Sequence, residues 1–246
     1  MPNDVDNPEK STSRRDIAAI VFALIFPSLM TWVYFFWLAN STAAPQLVAK
    51  LILVVVQIGF PLLWVIAVQK RHLTRTRFQR DGLLIGGLFG VAVMSSMFIA
   101  YYFWLSRNAD FLAGADQIRA KVAGLNIDSA AKFAVMGVFY VALHSLMEEY
   151  YWRWFVFAQL RRVTTLGPAI AISSLGFMAH HVIVLSLFFG WGSFLSLFFS
   201  VGVAVGGVAW SWLYNRTNSL FGPWLSHALI DAGIFTVGFE IVRSAW

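Results

Sequence analysis

The chain has no cysteine, which excludes disulfides, zinc ribbons and thiol catalysis. Charge is scarce as well. Asp, Glu, Lys and Arg make up 12% of the 246 residues, against about 25% in an ordinary soluble domain. So little charge cannot solvate a surface, and a core of this size cannot hide a chain that is 59% apolar. A soluble globular protein and a disordered one are both excluded. No internal repeat, linker or soluble second domain interrupts the sequence. What is abundant is aromatic: 23 Phe, 11 Trp and 7 Tyr, side chains suited to membrane cores and interfaces. The net charge of +6 is read as Lys and Arg on cytoplasmic loops, with no nucleic-acid partner.

A bilayer core about 30 Å thick needs roughly 20 apolar residues of helix. Seven runs meet that demand, at about 17–38, 50–68, 82–105, 130–155, 168–189, 192–214 and 219–242. They are long and continuously apolar, which predicts helices and not a barrel. The expected fold is an all-α polytopic bundle of about seven membrane helices, or eight if one is re-entrant or hidden. Residues 1–16 read as a polar cytoplasmic tail and 17–246 as one transmembrane domain. The first run is too long for a signal-peptide core and is read as a retained span. The loop at about 106–129 fits a short interfacial helix or a plain connector equally well. Gly202 and Gly206, four apart, predict a close helix contact.

Lys and Arg orient the chain. Lys70, Arg71, Arg75, Arg77 and Arg80 cluster between the second and third runs. Lys10, Arg14, Arg15, Arg161, Arg162 and Arg216 fall on the same side. The opposite side has only Lys50, Arg107, Arg119, Lys121, Lys132 and Arg243. This predicts a cytoplasmic N-terminus and, with seven spans, an external Trp246. The short polar N-terminus and small size fit a bacterial cytoplasmic membrane.

Ionisable groups sit deep in three runs alone. The fourth holds His144, Glu148, Glu149 and Arg153, the fifth His180 and His181, the seventh His227 and Asp231, with Glu240 near its end. Charge at bilayer depth costs a few kcal/mol or more and persists mainly where it pairs or works. At about 1.5 Å per residue, Glu148 lies roughly 20 Å from Arg161 and His181 roughly 20 Å from Pro168. By the same rise, His227 and Asp231 lie roughly 12 and 18 Å from Ser219, so the groups can meet in one layer. Glu149 and Arg153 share a helix face and can form a structural ion pair. Glu148 points away from them and is free to face a cavity, as a general base must. His144 shares the Glu148 face. Asp231 shares the His227 face and can fix the imidazole's orientation. His180 reads as packing.

Glu148-Glu149-Tyr150-Tyr151-Trp152-Arg153 resembles the Glu-Glu-x-x-x-Arg motif of the CAAX protease and bacteriocin-processing family of intramembrane endopeptidases. Phe177-Met178-Ala179-His180-His181 is similar to that family's Phe-x-x-x-His motif, and His227-Ala228-Leu229-Ile230-Asp231 to its His-x-x-x-Asn motif, with Asp in the last place. The motifs stand in family order within a core of about 130–242. The resemblance implies an endopeptidase that cuts a membrane-associated or hydrophobic peptide. In it Glu148 would activate water, and His181 and His227 would stabilise the oxyanion. Asp231 would join the catalytic set, with Glu149, Arg153, His144 and His180 in support. An Asn can donate to a tetrahedral intermediate, whereas an ionised Asp would repel it. Asp231 must therefore be protonated, orient His227 or bind something positive. His181, His227 and Glu148 would also suit a divalent metal such as zinc. The chain has no His-Glu-x-x-His helix, so a metal-free mechanism without cofactor is the preferred expectation. Two other readings stand beside proteolysis: a family member acting as a bacteriocin-immunity or scaffold protein, and a transporter using the buried groups as a proton relay.

Overall fold

The computed structural model describes residues 14–73 and 76–243. Most of the predicted polar tail, Lys10, Arg75 and Trp246 lie outside the described residues. The described residues are 87% helix and include no strand. Among the described residues, seven helices are long and apolar enough to cross a membrane. They are α1 (Arg14–Trp37), α2 (Ala43–Val68), α3 (Arg80–Phe103, extended by a 3-10 turn at Leu105–Arg107), α5 (Ala130–Val163), α6 (Leu166–Phe189), α7 (Phe194–Thr217) and α8 (Phe221–Val242). Large apolar side chains such as Ile25, Leu51, Leu84, Val135 and Phe103 stand exposed on their outer faces, as a lipid-facing surface requires. The chain is an integral, multi-pass membrane protein.

The eighth helix is α4 (Ala109–Gly124), which settles the 106–129 segment as a helix. Asn108 caps it by accepting from the Phe111 N–H at 2.9 Å, and Phe111, Gly114, Ala115 and Val122 form its buried stripe. Helix ends also differ from the apolar runs. α2 starts at Ala43 and not near 50, because Pro45 fits a first turn and the Gln46 amide donates to the Leu38 and Ser41 carbonyls at 2.9 and 3.3 Å. α5 continues past residue 155 to Val163. Its polar end is anchored where Gln159 and Gln69 exchange amide hydrogen bonds at 2.8 and 3.2 Å.

Lipid tails offer no hydrophobic drive between helices, so close packing must hold the bundle. The tightest contact joins α3 to α8. Gly86 lies so near Gly222 that a Cβ on it would fall on the Gly222 carbonyl, and a Cβ on Gly222 would strike the carbonyl of Gly82. The predicted Gly202–Gly206 contact is absent: nothing lies within 4 Å of a Cβ at Gly202, and Gly206 faces the Trp210 indole of its own helix. The neighbouring Gly207 makes the approach instead, against Ser174 of α6. Spacing located the helix but not which of its faces is packed.

Candidate active site

The Glu-Glu pair sits on one α-helical turn (Ser145–Glu149) inside α5, between π-helical stretches at Phe139–His144 and Tyr150–Phe157. Such wide turns recur at functional sites because they rotate the following side chains off the α-helical phase. Aromatic packing fixes this turn. Tyr151, Trp152, Phe155, Val156 and Phe157 are buried in the main core with Phe177 and Trp210. The Tyr151 hydroxyl donates to the Ala23 carbonyl of α1 at 2.8 Å.

The three ionisable helices converge on Glu148. Its Oε1 lies 3.4 Å from His180 Nε2 of α6 and 3.6 Å from His144 Nε2 of its own helix. Its Oε2 lies 3.5 Å from His227 Nε2 of α8. Three imidazole nitrogens thus surround one carboxylate that is 7% exposed. These separations are long for direct hydrogen bonds and leave the oxygens available to a small third partner. The His144 side chain is 36% exposed and Asp231 16%, so the site is least covered on their side.

Glu149 faces the other way and is fully buried. Its Oε1 lies 3.0 Å from Arg153 Nη1, the expected ion pair, and 2.8 Å from His227 Nδ1. A carboxylate only accepts, so His227 carries its proton on Nδ1 and turns Nε2 towards Glu148. The predicted partner of His227, Asp231, is more distant: its Oδ1 stands 3.8 Å from Nε2. Glu149, not Asp231, makes the hydrogen bond that sets the ring. Trp210 stacks on His227 at 4.2 Å between ring centroids and is held by donating to Ser226 Oγ at 2.9 Å. The Arg153 guanidinium lies over the Phe177 and Trp210 rings at 4.7 and 4.8 Å. Nothing in the sequence marks Trp210; Phe177 is visible only as a motif position.

The histidine pair divides its tasks. His180 stacks on Trp152, with ring planes 8° apart, and is also the imidazole nearest Glu148. His181 gives its Nδ1 proton to the Phe177 carbonyl at 2.9 Å, which leaves Nε2 for a ligand. Glu148, His180 and His181 can each offer one ligand atom, all within 4.8 Å of one another. This set, with His180 where His227 was expected, fits a divalent cation. His181 already has the carbonyl partner that ligating imidazoles usually have, and the buried His180 Nδ1 has no hydrogen-bond partner.

No curated protein and no solved structure matches the chain. A family model matches the part that contains every ionisable group just described. Residues 130–233 match the type II CAAX prenyl endopeptidase Rce1-like family.

Proposed function

We propose that the protein is an intramembrane endopeptidase that hydrolyses a peptide bond in a membrane-associated or hydrophobic peptide. The observation that carries this reading is the buried carboxylate of Glu148, ringed by His144, His180 and His227 at 3.4 to 3.6 Å. A water molecule seated there has an acceptor for its proton and imidazoles to hold it. Glu148 takes that proton as the water oxygen attacks the scissile carbonyl carbon. The carbon–nitrogen bond then breaks, and the proton passes to the leaving amine, giving a carboxylate and a free amine.

His227 and His181 lie against the same space, each with Nδ1 engaged, to Glu149 and to the Phe177 carbonyl respectively. An imidazole so held presents a lone pair on Nε2, and donates there once it takes up a second proton. In that form it stabilises the oxyanion, commonly the largest electrostatic contribution to acyl transfer. Asp231 joins them as a donor while its carboxyl is protonated. A divalent metal held by Glu148, His180 and His181 would polarise water at this position.

The test compares the membrane peptidomes of cells expressing wild type, Glu148→Gln and His227→Ala at matched levels. The reading requires the same uncut precursor to accumulate with both variants. An unchanged peptidome with the cellular phenotype intact would reject proteolysis and leave a binding or immunity role.

A further inference from the structure

A second polar centre lies where the ends of α1 and α6 meet the start of α2 and the surface helix α4. A cavity of about 390 Å³ is lined there by Tyr34, Phe35, Gln46, Gln117, Lys121 and Phe188, among others. The Lys121 ammonium lies 5.5 Å from the centre of the Tyr34 ring and 5.6 Å from that of Phe35. The Lys50 ammonium is not part of this lining but lies 4.8 Å from the same Tyr34 ring. One phenol thus gathers two cations. Among the described residues neither has a carboxylate partner: Asp116 is taken by Arg119 and Asp128 by Lys132.

Two like charges gathered on one ring without a counter-charge favour an anion within reach of both. A ring face offsets only a part of an ammonium's lost hydration. The cavity is walled mainly by apolar side chains, and on α2 the neighbours of Lys50 at the membrane surface are exposed Leu47 and Leu51. A small inorganic anion would leave those apolar surfaces unused. A charged headgroup continued by acyl chains would cover both, and basic pockets between membrane helices are known to take such headgroups.

We propose that this cavity binds the phosphate-bearing headgroup of an anionic phospholipid, with Lys50 and Lys121 on the phosphate and the acyl chains along α2. The Gln117 amide supplies two further donors to the phosphate oxygens. The lipid bridges α1, α2, α4 and α6.

The experiment reconstitutes the full chain in nanodiscs of equimolar phosphatidylglycerol and phosphatidylcholine, then counts retained lipids by native mass spectrometry. Phosphatidylglycerol should be enriched over phosphatidylcholine on the order of tenfold, from the charge attraction of two lysines. The enrichment should vanish in K50Q/K121Q and return in K50R/K121R. Should the double glutamine variant fail to fold, Lys121→Gln alone must still lower the enrichment. Equal retention of the two lipids overturns the proposal, as does an enrichment that survives loss of the lysines. Displacement of the lipid by inorganic phosphate, or by a short peptide with a free carboxylate, assigns the cavity to a small anion and overturns it too.

Discussion

Glu149 and His227 lie 78 residues apart in the chain and meet at 2.8 Å. The same carboxylate oxygen holds Arg153 at 3.0 Å, so one buried anion ties α5 to itself and to α8. The ion pair and the orientation of a proposed catalytic imidazole therefore depend on a single side chain. Its neighbour Glu148, one residue earlier, carries the open side of the site.

Replacing Glu149 separates these two duties. Glu149→Ala leaves the guanidinium of Arg153, 1% exposed, without its counter-charge, a loss of about 3 to 5 kcal/mol. Glu149→Gln keeps an oxygen that can accept from His227 but still removes the charge. Thermal unfolding in detergent should place Glu149→Ala lowest, Glu149→Gln between, and Glu148→Gln close to wild type, because the imidazoles around Glu148 stand 3.4 to 3.6 Å away, long for direct hydrogen bonds. Equal melting temperatures for all four proteins would mean that the Glu149–Arg153 pair does not support the fold.

The α3–α8 contact yields a second expectation. A Cβ at Gly86 would meet the Gly222 backbone, which cannot rotate away as a flexible side chain could. Overpacking of this kind costs about 1 to 3 kcal/mol, sometimes more. Gly202→Ala is the control, since nothing lies within 4 Å of a Cβ there, and Ala in a helix gains about 0.5 to 1 kcal/mol over Gly. Melting temperatures should thus move in opposite directions. A Gly86→Ala protein as stable as wild type would show that these helices are not in such close contact.

Much of this organisation is legible in the sequence, and the rest fails for definite reasons. Apolar runs reveal the spans because only about 20 apolar residues of helix bridge the bilayer. The Glu149–Arg153 pair is legible because i,i+4 positions share a face. The Glu149–His227 bond is not, since it depends on how α5 and α8 are rotated about their axes. The π-helical turns on either side of the Glu-Glu pair add a shift that a period of 3.6 does not anticipate. His180 and His181 are a related case. Adjacent helical residues point about 100° apart, and only the stacking of His180 on Trp152 brings the first of them nearest Glu148. The Gly86–Gly222 contact was hidden because glycines on two helices carry no sign of facing each other, whereas Gly202 and Gly206 on one helix give a pattern with no partner.

Outside the membrane spans, the carboxyl of Asp128 is held below the usual aspartate range by the hydrogen bond from Lys132 Nζ at 2.8 Å. Its contribution is therefore present above the pKa of the unfolded chain and lost as the pH falls through the lower folded value. The pair is exposed, so the effect is small and screened by salt. Any stability difference between wild type and Asp128→Asn should be seen near neutrality at low salt and disappear in acid. A difference that grows on acidification would contradict this sign.

Asp231 gives the sharpest test of the proposed chemistry. Its carboxyl borders His227 Nε2 at 3.8 Å and is 16% exposed, so it can reach a group held between Glu148 and His227. An aspartate donates a hydrogen bond only while protonated, and once ionised it opposes charge developing on a carbonyl oxygen. Cleavage by wild type should then fall as the pH rises through the titration of this carboxyl. Asp231→Asn offers an amide donor at every pH, so its profile should lose that falling limb and its rate at high pH should exceed that of wild type. Asp231→Ala removes the donor altogether, and losing one oxyanion donor costs about 10² to 10³ in kcat. The pH–rate profiles of the three proteins on one peptide substrate decide the matter. If Asp231→Asn is as slow as Asp231→Ala across the range, the ionised carboxylate is what the reaction needs, and Asp231 acts on His227 or on a bound cation and not on the oxyanion.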